Sequence, residues 1–409
     1  MGPEEHIIAA LDIGSTKVEA LIAEVAPPGS PRIVGVGRSR SNGLRRGMVV
    51  DLEKTTRSVQ AALSEAEMMA GCSVATVTVA IAGEHIRSIN SRGVVAVTGN
   101  GGEISALDIE RVIDAARALP IPQDREVIHV LPMEYVIDDQ PGIKRPEGMY
   151  GSRLEAEVLI VTGAMTAVRN VHKCVQNAGY EIADLVLESV ACGRVLLNAA
   201  ERESGVAIVN LGGGITDVAI FLEDALRFTI ALAVGGKNVT SDLAIGLRTP
   251  VDDAEQIKIN YGSVHTGESE RVTPITVPSV GDRPPREVAP ELVASIIEPR
   301  MEELFEVTLR ELKKTPYFEL LTSGIILTGG GSLLPGIVDL AERIFDLPVR
   351  IGRPSGVEGM RDLAASPAHA TAAGLLLQGA DKIQTVRPKD SGLVRRWARK
   401  MENILNEFV

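Results

Sequence analysis

The stretch Val206-Ala207-Ile208-Val209-Asn210-Leu211-Gly212-Gly213-Gly214-Ile215-Thr216-Asp217-Val218-Ala219-Ile220-Phe221 reads as apolar strand, polar residue, glycine turn and second apolar strand. Much earlier, Ile7-Ile8-Ala9-Ala10-Leu11-Asp12-Ile13-Gly14-Ser15-Thr16-Lys17-Val18-Glu19-Ala20-Leu21-Ile22 follows the same order. Such a hairpin offers backbone N–H groups and Ser/Thr hydroxyls to a phosphate, and glycine lets the backbone come close. A single copy is most often only a turn. Two copies predict two lobes that grip one nucleotide from opposite sides.

The chain of 409 residues is long for one core, so at least two domains are expected. Apolar content of 45% with 23% charged residues describes a globular protein. A net charge of −12 argues against a general nucleic-acid binder. Cys72, Cys174 and Cys192 lack metal-ligand spacing and read as small buried thiols of a reducing compartment. The start, Met-Gly-Pro-Glu-Glu-His, has no basic region followed by an apolar stretch, so no signal peptide is expected. No apolar run approaches the roughly 20 residues that cross a bilayer, and the body is expected in the cytosol.

Strand and helix signals alternate, which predicts an α/β class. Apolar or small residues recur at helical spacing from Leu52 to Met69, and Gly71 follows as a stop. Val74 to Ala82 reads as a strand ended by Gly83. Beyond it, short strands (Val94 to Thr98, Val127 to Leu131, Glu155 to Val161) surround a helix near Leu107 to Leu119, with Ser105 and Asp108 as a capping box. That segment reads as an inserted α+β subdomain. Helices are expected over Met165 to Ala178 and Val251 to Asn260, and an edge strand over Val272 to Val280. Asp282 to Pro290 reads as an exposed loop before a long amphipathic helix from Glu291 to Lys314, which Pro299 should kink or restart. Asp381 to Asp390 reads as a linker.

Asp12, at a strand end before a glycine turn, could hold Mg²⁺ through water, because that ion keeps several waters and few protein ligands. An Asx-turn former is the alternative. Lys17 could reach a phosphate or stay a solvated surface lysine. Gly329-Gly330-Gly331-Ser332, after the strand Gly324 to Thr328, could pass under an adenine or ribose. Gly235-Gly236-Lys237 is followed by Asn238, so it is not a P-loop.

Asp-Ile-Gly-Ser-Thr-Lys, Asn-Leu-Gly-Gly-Gly-Ile-Thr-Asp and Leu-Thr-Gly-Gly-Gly-Ser resemble the phosphate 1, phosphate 2 and adenosine motifs of the actin, heat-shock chaperone and sugar kinase ATPases. Within that superfamily the chain resembles the bacterial cell-division FtsA family. Ser41-Asn42-Gly43-Leu44-Arg45-Arg46-Gly47-Met48-Val49-Val50-Asp51, the insert after Gly83 and the tail described below carry the likeness. The resemblance implies an actin-like two-lobed fold of four subdomains, one of them inserted, followed by a C-terminal amphipathic helix. The implied bounds are 6–83 with 163–205, the insert 84–162, 206–240 with 311–380, then 241–310, a linker at 381–391 and the helix at 392–409.

The same resemblance implies roles. Asp12 would organise the magnesium water shell, with Asn210 at the second metal position. Gly14, Ser15, Thr16, Gly212, Gly213, Gly214 and Thr216 would cradle phosphates, with Lys17, Gly236 and Lys237 in the nucleotide-binding set. Glu255 and Lys258 would meet ribose and adenine, and Gly329, Gly330, Gly331 and Ser332 the adenosine. Glu188 and Asp217 would orient the attacking water, although Glu188 could instead cap a helix. Many relatives carry aspartate where this chain has Asn210. A neutral amide removes a charge beside the metal, so tight ATP·Mg²⁺ binding with feeble turnover is expected.

In the tail, Leu393, Trp397, Met401, Ile404, Leu405 and Phe408 share one face at helical spacing. Arg395, Arg396, Arg399 and Lys400 cluster on the other. This pattern suits an anionic headgroup interface; a helix docked on protein is the alternative. The implied function is an ATP-binding scaffold of the divisome that forms filaments and ties FtsZ to the cytoplasmic face of the inner membrane. Expected partners are FtsZ, further copies of the chain, other divisome proteins and anionic lipid, with no nucleic acid. A small-molecule kinase and a pilus-assembly ATPase of the same superfamily are the alternatives.

Overall fold

A computed structural model of the chain describes residues 6–26, 29–265, 273–280, 284–360 and 365–385. The expected amphipathic segment 392–409 lies outside these residues.

Two five-stranded sheets repeat one topology. In the first, His6–Ile13 pairs antiparallel with Lys17–Val25, which pairs antiparallel with Arg32–Arg40. On its other side His6–Ile13 runs parallel to Thr76–Ile81, and that strand runs parallel to Glu181–Leu187. The second sheet repeats this with Val206–Leu211 at its centre, Thr216–Leu222 and Ala225–Leu232 antiparallel, and Ile325–Thr328 and Val349–Ile351 parallel. The twice-written hairpin therefore seeds two equivalent sheets. All six residues of Val206–Leu211 are buried, as a near-continuous apolar strand covered on both faces should be.

The insert is a separate antiparallel sheet of Arg87–Ala96, Arg153–Ala164, Arg125–Ile137 and Gln140–Ile143. Its helix, Ala106–Arg117, starts with the expected capping box between Ser105 and Asp108. The helix Leu52–Ala70 ends on Gly71 in the left-handed conformation, as the stop signal required.

Several boundaries differ from the sequence pattern. The expected edge strand shortens to Ile275–Val277 and pairs with Arg286–Val288, inside the segment read as loop. A pair this short lacks a long alternating run. Pro299 sits within one uninterrupted helix, Pro290–Lys313. Pro299 and Ser295, four residues before it, are both exposed. The carbonyl that proline leaves without a donor can therefore be hydrated, and the helix continues. The last helix, Ala370–Thr385, consumes the first residues of the expected linker. Arg194 pairs with Asp381, and Lys382 with Asp184 at 2.6 Å. Those charged residues read as linker because they lack large apolar side chains, yet ion pairs anchor them to the body.

Candidate functional site

The two central strands end in the two glycine turns, and register puts the polar residues where they matter. Asp12 stands opposite Glu19, and Asn210 opposite Asp217. The turns face each other closely. A Cβ on Gly213 would lie 2.2 Å from Thr16 Oγ1, and one on Gly214 2.6 Å from Ser15 Oγ. Lys237 Nζ ties the turns further, donating to the Ser15 carbonyl at 2.5 Å. Between the sheets lies a cleft of about 580 Å³, the size of small-ligand sites.

Three carboxylates crowd its floor. Glu188 opens the helix Glu188–Leu196, but Leu187 is the N-cap and no side chain caps this terminus. Its Oε1 instead accepts from Asn210 Nδ2 and, at 2.9 Å, from Thr371 Oγ1. Burial, then the charges of Asp217 and Asp12, push Glu188 well above the usual carboxylate range. Burial and the Asp12 charge raise Asp217 to about 7. Asp12 is raised to about 6, mainly by burial, with Lys17 opposing and Glu19 adding to the shift. The group binds protons at neutral pH that separate carboxylates would release. Among the described residues, no three His, Cys, Asp or Glu are arranged to ligate a metal directly.

The opposite wall comes from the second sheet and its helices. Lys258 Nζ bonds Glu255 Oε2 at 2.7 Å and Thr240 Oγ1 at 2.9 Å. Gly329 has φ of 80°, and a Cβ there would lie 2.2 Å from Asn210 Oδ1, so only glycine fits. Val239, Ile259, Met301, Leu304 and Leu334 supply an apolar face.

A protein-family model described as "Cell division protein FtsA" matches residues 207–374, and a second, "SHS2 domain inserted in FTSA", matches residues 83–162. The cell division protein FtsA of Pseudomonas aeruginosa is 46% identical over 376 residues, covering 92% of this chain and 90% of that protein. The chain belongs to the FtsA family. Among solved structures, the PilM-PilN type IV pilus biogenesis complex matches with a TM-score of 0.65 at 18% identity, covering 91% of this chain and 98% of that one. ADP-bound MreB5 of Spiroplasma citri matches with a TM-score of 0.57 at 14% identity, covering 93% and 98%. These likenesses establish the actin-like fold, and the much higher identity places the chain with FtsA rather than with the pilus proteins.

In this FtsA-family chain, Asp12, Gly14, Ser15, Thr16, Lys17, Glu188, Asn210, Gly212, Gly213, Gly214, Asp217, Gly236, Glu255, Lys258, Gly329, Gly330 and Gly331 all line the cleft. Three expected residues stand behind it. Thr216 is fully buried and donates to the Val234 carbonyl at 2.9 Å. Ser332 closes its own turn on the Gly329 carbonyl at 2.7 Å. Lys237 holds the Ser15 carbonyl. Lys17 reaches the cleft, but its ammonium is bonded to Glu19 at 2.9 Å and the Ala368 carbonyl at 2.7 Å.

The sequence reading missed Pro367, Ala368, His369 and Thr371, which also line the cleft. No glycine or repeated pattern marks them. Pro367 O accepts the Gly329 N–H at 3.1 Å, and His369 Nδ1 lies 2.8 Å from Glu19. Burial alone would raise the Glu19 carboxyl, but the hydrogen bond with His369 and the Lys17 charge hold it at about 2.

Proposed function

We propose that this FtsA-family chain binds ATP with Mg²⁺ between its two sheets and in that state assembles into filaments. Those filaments tether FtsZ to the cytoplasmic face of the inner membrane at the division site. The observation that carries the reading is the cleft: two glycine turns on separate sheets meet over a cavity whose floor holds three carboxylates. MreB5 of the same fold is bound to ADP and to AMPPNP in its structures.

The residues fit the nucleotide, because Gly213 and Gly214 let the second turn pack against Ser15 and Thr16 of the first, and both turns line the cleft. Backbone N–H groups of the two turns, with Ser15 and Thr16, would hold phosphates. Thr216, Lys17, Gly236, Lys237 and Ser332 would support the walls. Glu255 and Lys258 would meet the ribose and adenine, and Gly329 to Gly331 would pass beneath the adenosine. Asp12 and Asn210 would order the magnesium water shell. The cation would supply the positive charge that lets the crowded carboxylates ionise. Glu188 and Asp217 would orient water, and the neutral Asn210 makes turnover slow. Turnover of several per second at saturating ATP would overturn that part.

The subdomains follow the bounds 6–83 with 163–205, 84–162, 206–240 with 311–380, and 241–310. Among the described residues no helix is long and apolar enough to cross a membrane. Attachment is assigned to 392–409, where each cation near an anionic leaflet contributes about 1 kcal/mol. One tail binds reversibly, and many tails on one filament bind firmly through effective concentration. Electron microscopy on anionic lipid monolayers with ATP tests this. Full-length chains should form filaments on the lipid and recruit FtsZ, and chains lacking 393–409 should not. Unchanged lipid binding after the deletion would refute the tether.

A further inference from the structure

The helix that ends the described chain starts beside the water-orienting carboxylate. Thr371, in its first turn, is 6% exposed, and its Oγ1 donates to Glu188 Oε1 at 2.9 Å. The same oxygen accepts from Asn210 Nδ2. A buried hydroxyl costs stability unless it is bonded, and Glu188 is the partner that satisfies this one; Cys192 Sγ lies farther off at 3.6 Å.

We infer that Thr371 is a positioning residue for Glu188, acting with Asn210 to hold one carboxyl oxygen so that the other is presented to the cleft. The inference rests on the reading of Glu188 as the residue that orients water. Two features lock the geometry. First, the two helices touch: a Cβ on Gly374 would stand 2.0 Å from the Ala191 carbonyl, so they approach as closely as backbones allow. Second, the segment leading into Thr371 is pinned on both lobes. Pro367 O accepts Gly329 N–H and Thr328 Oγ1, each at 3.1 Å, and Ala368 O accepts Lys17 Nζ at 2.7 Å. The hydroxyl therefore reaches Glu188 from a frame that is fixed to both the adenosine turn and the first phosphate strand.

The test uses the full-length chain with Thr371→Val, Thr371→Ser and Glu188→Gln. Nucleotide affinity is measured separately from ATP turnover, and a crystal structure is determined for Thr371→Val. Valine keeps the shape and removes the donor. Turnover should fall roughly 10- to 100-fold, the scale of a misplaced reacting group. Nucleotide Kd should stay within about twofold, serine should restore most of the rate, and the crystal should show the Glu188 carboxyl displaced. Wild-type turnover of Thr371→Val beside a slow Glu188→Gln, with the carboxyl unmoved, overturns the inference. Equal losses in the Val and Ser variants, or a loss of affinity that matches the loss of rate, also overturn it. If Glu188→Gln turns over like the wild type, the water-orienting reading fails. The crystal then decides the positioning claim alone: a displaced carboxyl supports it and an unmoved one overturns it.

Discussion

Arg40 on the first sheet and Asp252 on a helix of the second lobe meet across the cleft, Nη2 to Oδ1 at 2.5 Å. With side chains 69% and 72% exposed, the pair contributes about 0–1 kcal/mol. Asp252→Arg should therefore speed release of a fluorescent ATP analogue by no more than about fivefold. The exchange Arg40→Asp with Asp252→Arg should restore the wild-type rate. Stopped-flow release that ignores both the reversal and the exchange would show that the pair does not help close the cleft.

Gly213→Ala places a methyl group 2.2 Å from Thr16 Oγ1 and 2.8 Å from its Cγ2. The two turns must separate, so nucleotide affinity should drop at least about tenfold, or roughly 1.4 kcal/mol. Gly379→Ala is the control, because Gly379 does not line the cleft and a Cβ there meets only Ile8, at an ordinary 3.6 Å. Calorimetric titration should find the control near wild type; equal affinities for all three proteins would argue against the cradle.

Asn210→Asp replaces the donor to Glu188 Oε1 with another acid in a group already holding Asp12, Glu188 and Asp217. Losing the hydrogen bond and adding the charge should cost about 1–3 kcal/mol in the free protein. Adding Mg²⁺ with nucleotide should raise the melting temperature of this variant more than that of the wild type. Scanning calorimetry with and without the ligand reads both effects, and identical increments would contradict the metal assignment.

His85 is buried where the chain enters the insert, and neither ring nitrogen has a hydrogen-bond partner. Burial, then Arg125 and Arg87, lower its pKa from 6.5 to about 4. In this window the unfolded chain binds the proton and the fold does not, so stability falls as pH drops from 6.5 towards 4. The loss amounts to roughly 3 kcal/mol at most. Urea unfolding of His85→Gln above and within the window should show a shallower acid loss than the wild type. Parallel pH profiles would rule His85 out as the cause.

Legibility in the sequence followed how local each signal is. The hairpins at Asp12 and Asn210, the cap at Ser105 and the stop at Gly71 were readable because each depends on neighbours within a few residues. The short pair Ile275–Val277 with Arg286–Val288 was not, since three-residue strands have no period to detect. The family resemblance put Thr216 in the phosphate cradle and Ser332 in the adenosine loop. Their bonds to the Val234 and Gly329 carbonyls appear only once the turns are folded.

The sequence by itself determined that the chain has two equivalent glycine turns on apolar strands, an insert between them and an amide at 210 where an acid would add charge. Backbone conformation and burial at those positions follow from local residue chemistry, so pattern was enough. Only the tertiary structure decided which side chains meet. Thr371 and Asn210 share one oxygen of Glu188, although 161 and 183 residues separate the pairs Asn210–Thr371 and Glu188–Thr371. Such contacts arise from helix packing and sheet order, which place distant segments side by side and leave no spacing in the chain to read.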